Sequence, residues 1–174
     1  MKVLLDEIKG TYDGYVNTPA YLLDYYLPTE QSELMAVKMW KTQKIKNRIP
    51  WLFLSVLFIL MSIMILTEDV HEWTAYMFLL GGIVLLVCVS INLFQCCTYF
   101  CPITKATIVS TRSAGSRIKE RYITYYAIVC QKDAKVISED VKVDLKTFNR
   151  CDEGREIYII NYKGECSGFI VEEN

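Results

Sequence analysis

The chain has 174 residues, of which 52% are hydrophobic, with 19 Lys and Arg against 20 Asp and Glu and a single His. A net charge of −1 argues against a nucleic-acid partner, and one histidine leaves almost no room for Cys–His or Ser–His catalysis. The seven cysteines, an odd number, are scattered in a way that does not read as a disulfide framework.

Residues 1–48 read as an N-terminal arm. Its early part is aromatic and turn-rich, with Tyr12, Tyr15, Tyr21, Tyr25 and Tyr26 interleaved with Gly10, Gly14, Pro19 and Pro28. At "LPTEQSEL" a helix is expected to start, running from about 29 to 48. Thr29 can cap its free N–H groups, and Glu30 and Glu33 suit the positive end of its dipole. Leu34, Met35, Met39 and Trp40 alongside several lysines predict an amphipathic helix suited to the lipid headgroup layer. Pro50 marks a kink or a fresh helix start.

Two apolar stretches follow, 49–67 and 74–101, joined by a short connector at 68–73. No charged residue occurs from Ile49 to Thr67 or from Trp73 to Thr104. Crossing the hydrocarbon core takes about 20 residues rising 1.5 Å each, so both stretches predict transmembrane helices. Neither sits where a cleavable signal would, because a charged, tyrosine-rich segment precedes them. Lys38, Lys41, Lys44, Lys46 and Arg48 precede the first span, and Lys105, Arg112, Arg117, Lys119 and Arg121 follow the second. The connector carries Glu68, Asp69 and Glu72 but no Lys or Arg. Basic residues collect on the cytoplasmic side, so the expectation is a plasma-membrane protein with both termini cytoplasmic. Gly81-Gly82 offers close helix approach, although no full small-xxx-small pattern accompanies it.

From Ile103 the periodicity becomes alternating. "KATIVST", "YITYYAIVCQ", "KVISEDVKVDL", "REIYIINY" and "CSGFIVEE" are short and rich in β-branched or aromatic residues, separated by "SAGS", "KDA", "DEG" and "YKGE". The expected fold is therefore α+β: a transmembrane helical hairpin, then a small antiparallel β-barrel or sandwich, OB-like, over 103–174.

A two-helix membrane hairpin followed by a strand such as "TKATIVST", then "YITYYAIV" and "EIYIINYKGE", resembles membrane proteins of the NfeD-like type and bacterial families of the same layout. The resemblance covers roughly residues 50–172 and rests on layout and strand rhythm. Lys163-Gly164 stands where a Pro-rich turn is often found in that family. The resemblance implies a scaffold or interaction module and supplies no catalytic residues.

Residue chemistry points the same way. His71, in the connector, is a membrane thickness from the cytosolic cysteines under the expected topology. The acid pairs Glu139-Asp140 and Asp152-Glu153 fall beside turns, and no phosphate-binding glycine run exists. Neither a metal nor a cofactor is expected. Cys96, Cys97 and Cys101 sit where the second span ends; S-acylation fits that position, beside the simpler reading of small apolar residues at a crowded helix end. Lys38, Lys41, Lys44, Lys46, Arg48, Arg112, Arg117, Lys119 and Arg121 are the candidate lipid-headgroup contacts. The function expected is a non-enzymatic interaction or scaffold protein, with membrane lipid and a protein partner or further copies of itself as partners. The alternative is a small subunit of an oligomeric transport or channel assembly.

Overall fold

A computed structural model of the chain describes residues 14–67, 72–115 and 123–171. They fall into two compact units: the described residues up to Lys38 together with those from Cys101 onward, and Met39–Phe100.

The first unit is a closed barrel. Its strands are β1 (Val16–Asn17), β2 (Ile103–Gly115), β3 (Ile123–Gln131), β4 (Val136–Val143), β5 (Glu156–Tyr162) and β6 (Glu165–Phe169). β2 pairs antiparallel with both β3 and β5, β3 with β4, and β5 with β6. A parallel pairing of Lys142 with Ser167 joins β4 to β6 and closes β2–β6 into the expected OB-like barrel. Ile108, Val129, Val141, Ile157 and Ile159 fill the interior. Gly168 faces that interior: a Cβ there would meet Ile157 Cδ1 at 2.6 Å and Val141 Cγ1 at 3.0 Å, so only glycine lets β6 approach β4. At the β5–β6 hairpin Lys163 has φ +52°, a conformation closed to proline.

The strand segments appear as expected, with three adjustments, of which one is that the last stops at Phe169, leaving Ile170 and Val171 outside it. The third segment ends at Val143, because Asp144 turns outward and its Oδ1 accepts the Thr147 N–H at 2.7 Å, capping a short helix at Leu145–Phe148. β2 extends to Gly115, so the first residues of "SAGS" are strand; the rest of that hairpin tip lies outside the described residues.

The arm is part of this barrel. β1 runs parallel to β4, Val16 opposite Val136, and a single 3₁₀ turn at Ala20–Leu22 packs on β4 and β6. Ala20 and Leu23 are buried in the barrel core. The Ala20 N–H donates to Asp140 Oδ1 at 2.7 Å, and Tyr25 OH donates to Ala20 O at 2.7 Å and lies 3.3 Å from Cys166 Sγ. Where one residue pair closes the barrel, the arm covers the seam.

The first helix, α1 (Gln31–Lys46), begins with a cap built from inside the helix. Glu33 Oε2 accepts the N–H groups of Thr29 and Glu30 at 2.8 and 3.0 Å. α1 does not separate apolar from charged faces as an amphipathic helix would. Its buried stripe, Glu33, Ala36 and Trp40, contains a carboxylate, while Leu34, Met35 and Met39 are exposed.

The second unit holds the end of α1 and an antiparallel hairpin of α2 (Ile49–Thr67) and α3 (Glu72–Thr98). A tight turn at Asn47-Arg48 separates α1 from α2, with Arg48 N–H bonded to Ile45 O at 2.9 Å. Pro50 is the second residue of α2, where its missing N–H costs nothing. Both helices are long and apolar enough to cross a membrane. Their seam repeats every seventh residue: Ala75, Gly82, Val89 and Cys96 of α3, and Ser55 and Ser62 of α2, are buried. Gly82 is the tightest point, where a Cβ would lie 2.8 Å from Ile59 Cγ1 and 3.1 Å from Ser55 O. Gly81 faces open space. The large apolar side chains point outward, among them Trp51, Phe53, Met64, Leu80 and Phe94.

Candidate functional site

Six of the nine candidate headgroup cations lie among the described residues. Arg117, Lys119 and Arg121 lie outside the described residues, and so does His71. Lys38 and Arg112 belong to the barrel unit, and Lys41, Lys44, Lys46 and Arg48 to the hairpin unit.

Arg112 is engaged within the barrel. Its Nη1 lies 3.6 Å from Glu139 Oε2 and its guanidinium is 5.1 Å from the centre of the Tyr126 ring. The register explains this: Arg112 on β2 is directly opposite Tyr126 on β3. It is a positioning contact of the barrel wall more than a free cation.

At the foot of the hairpin the arrangement differs. Lys41 Nζ donates to the Cys97 carbonyl at 2.9 Å, satisfying one of the orphan acceptors at the end of α3. Lys44 stands 5.9 Å above the buried Trp40 ring. Lys46 and Arg48 are exposed. Of the three neighbouring cysteines, Cys96 is buried in the helix seam and Cys101 is buried in the barrel unit; Cys97 is exposed. Only Cys97 therefore presents a thiol that an acyl donor could reach in this conformation.

The barrel unit also carries an open cleft of about 630 Å³ lined by Tyr26, Thr104, Lys105, Gln131, Asp133 and Glu156 among others. Its polar groups are largely committed to one another. Lys105 Nζ pairs with Glu30 Oε2 at 3.1 Å and sits 5.5 Å from the Tyr158 ring. Tyr26 OH donates to Glu33 Oε1 at 2.7 Å, and Tyr26 exchanges two backbone hydrogen bonds with Ile103. Gln131 Nε2 donates to Thr104 Oγ1.

Ionisation follows these contacts. Burial pushes the Glu33 carboxyl up, but the Glu30 and Thr29 N–H groups and the Tyr26 hydroxyl outweigh it and hold Glu33 below the usual carboxylate range. The bond to Glu30 raises Lys105, keeping it cationic. Burial raises Cys166 despite the nearby Tyr25 hydroxyl, and burial with the Asp152 charge pushes Cys151 up to about 11. Both are neutral thiols near pH 7 and poor nucleophiles. Among the described residues no group of three or more His, Cys, Asp or Glu side chains converges as a metal site.

The reading of residues in order missed Glu33 as an anchor, although an acid three residues into a helix is the signal of a reciprocal cap. It also missed the Ala20–Asp140 contact, which no local pattern announces. Comparison of the chain with protein-family models, curated proteins and solved structures finds no match.

Proposed function

We propose that this chain is a membrane-anchored, non-enzymatic interaction protein. In this reading α2 and α3 cross the plasma membrane with the connector outside and both termini cytoplasmic, and the OB-like barrel is displayed at the inner surface as a docking module. The observation that carries membrane insertion is the inverted hairpin, with small residues in the seam and large apolar ones outward. A helix pair in water would bury its large apolar residues, whereas lipid favours small residues at the helix contact. The ten basic residues flanking the spans and the acidic connector support the orientation. The neutral thiols and mutually paired polar groups of the barrel support a binding role over catalysis.

Alkaline extraction of native membranes, combined with maleimide labelling, tests this. The chain is expected to stay in the pellet, with Cys97 labelled only once the inner surface is accessible and an introduced D69C labelled from outside. Release into the supernatant, or the reverse labelling pattern, refutes it. Affinity capture from the same membranes tests the module role, and no reproducible partner would count against it.

One observation favours the oligomeric-assembly reading: a largely apolar groove of about 510 Å³ runs along the hairpin past Trp51, Phe58, Leu80 and Val84. Two helices enclose no pathway alone, so a particle several times the monomer mass in mild detergent would favour that assembly.

A further inference from the structure

We propose that the open cleft of the barrel unit is a binding site for a short extended peptide with basic residues, held by pairing of its backbone with β2 at Lys105. The proposal rests on the reading of the barrel as a docking module and gives that module a ligand class and a place.

The cleft is a gap in the barrel wall. β2 pairs with β5 from Ile103 to Thr107, but its pairing with β3 starts only at Thr107, opposite Cys130. After Gln131 β3 ends, and the chain turns into β4 with the Lys135 N–H bonded to Lys132 O. At the other end of the gap Tyr26 exchanges two backbone hydrogen bonds with Ile103. Thr104, Lys105 and Ala106, which line the cleft, therefore have a ladder partner on one side only. The gap from Ile103 to Thr107 spans roughly 13 Å at the rise of a strand.

Backbone groups alternate along a strand, so Lys105 turns its N–H and C=O the same way as Ile103, into the cleft. A side chain meets that carbonyl: Gln131 Nε2 donates to Lys105 O at 3.5 Å and to Thr104 Oγ1. The Lys105 N–H meets no backbone acceptor on that side among the described residues. Gln131 stands in for a missing strand and does so poorly, because its Oε1 is buried without a hydrogen-bond partner among the described residues. A peptide residue opposite Lys105 accepts the N–H, replaces the long amide bond and lets the Gln131 amide turn to water.

Charge selects the peptide. Lys105 is already answered by Glu30 at 3.1 Å and by the charge of Glu156. Asp24 lies two residues before Tyr26 and Asp133 lies in the turn after β3, so an acid marks each end of the gap. Both are exposed, and neither has an ion pair among the described residues. Lys132 is the one other cation of the lining, so four carboxylates, Glu30 included, face two lysines. The lining acids do not converge as a metal site, and positive charges spaced along a chain suit them better than one ion. In an extended Lys-X-Lys segment with X opposite Lys105, both lysines project from the same face, one toward each end.

The purified full-length protein in mild detergent, titrated with a fluorescent Thr-Lys-Val-Lys-Thr peptide and read by anisotropy, provides the test. The wild type is expected to bind it and to leave Thr-Glu-Val-Glu-Thr unbound. Methylating the valine nitrogen removes the N–H that meets Lys105 O and is expected to weaken binding about two- to tenfold, the usual share of one hydrogen bond. D24N/D133N should weaken it about two- to thirtyfold, from two solvent-screened ion pairs. D152N, outside the cleft, should leave it unchanged. If D24N/D133N fails to accumulate, the lysine and glutamate peptides compared on the wild type carry the charge test, and equal binding of the two overturns the site. Equal binding of the methylated peptide overturns the strand pairing. Unchanged binding in D24N/D133N overturns the site, and displacement by spermidine as readily as by unlabelled peptide overturns its assignment to a peptide. Capture from native membranes in parallel separates the two levels. Partners held alike by the wild type and D24N/D133N overturn this site and leave the module standing, whereas a wild type that captures none counts against the module itself.

Discussion

The backbone N–H of Ala20 donates to Asp140 Oδ1 across a separation of 120 residues, at the one place where the barrel is closed by a single residue pair. Ser138 Oγ donates to the same oxygen at 2.7 Å. Asp140→Ala leaves the buried Ala20 amide without its acceptor, and stability is expected to fall by about 1–3 kcal/mol. Asp140→Asn, which keeps an acceptor oxygen, should lose clearly less. Denaturant melts of the detergent-solubilised protein compare the two; equal losses would mean that the arm is not held by this bond.

Glu33 makes the barrel unit acid-sensitive. Its pKa is depressed in the fold, so its contribution is complete above the ordinary carboxylate range and disappears as pH falls through its folded value. Glu33→Gln should therefore flatten the acid limb of a stability–pH curve while lowering stability at neutral pH. The expected neutral-pH loss is about 1–3 kcal/mol, because a charged acceptor of three hydrogen bonds is replaced. An unaltered acid limb in the variant would show that other carboxylates govern it.

The two adjacent glycines of α3 should behave oppositely. Gly82→Leu drives a side chain into Ile59 and the Ser55 carbonyl and is expected to cost about 1–3 kcal/mol or more. A Cβ at Gly81 meets nothing within 4 Å, so Gly81→Leu should be tolerated. Ser62→Ala is a companion test: Ser62 Oγ is buried without a hydrogen-bond partner among the described residues, so its removal should not destabilise. Melting temperatures in one detergent give all three comparisons.

Thiol reactivity should be graded. Cys97 is exposed and should react with maleimide at pH 7.5, whereas Cys151 and Cys166 should react slowly while the barrel is folded. Cys151 has a raised pKa, so its neutral form stabilises the fold below the ordinary thiol range, and that contribution is lost as pH climbs through about 11. Labelling of Cys151 should rise over the same interval and disappear as a step in Cys151→Ala. Rapid labelling of Cys151 at pH 7.5 would contradict its placement.

The strands were legible because alternation and β-branched runs report a pleated, half-buried surface directly, as in "YITYYAIVCQ" and "REIYIINY". The apolar helices were legible from length. Less visible were features that depend on distant partners. β1 is two residues long and pairs with β4 more than a hundred positions away, so Val16 and Asn17 carry no strand signal of their own. The helix at Leu145–Phe148 is too short for a period, and only the Asp144 cap betrays it. The seam of Ala75, Gly82, Val89 and Cys96 stands in the sequence at intervals of seven, where a four-residue spacing was sought. The basic residues were individually legible; the commitment of Arg112 and Lys41 was not, because only the folded chain creates their contacts.

The placement of Ala20 and Tyr25 against Asp140 and Cys166 has a consequence for biogenesis. Translation delivers the arm first and the final strand last, with the hairpin between them, and the Tyr25–Cys166 contact joins positions 141 residues apart. The barrel therefore cannot close until β6 has left the ribosome. Until then the arm waits without its partners while the apolar helices emerge. Such long-range closure is slow relative to local helix formation, and the interval is the chain's most vulnerable to proteases and aggregation.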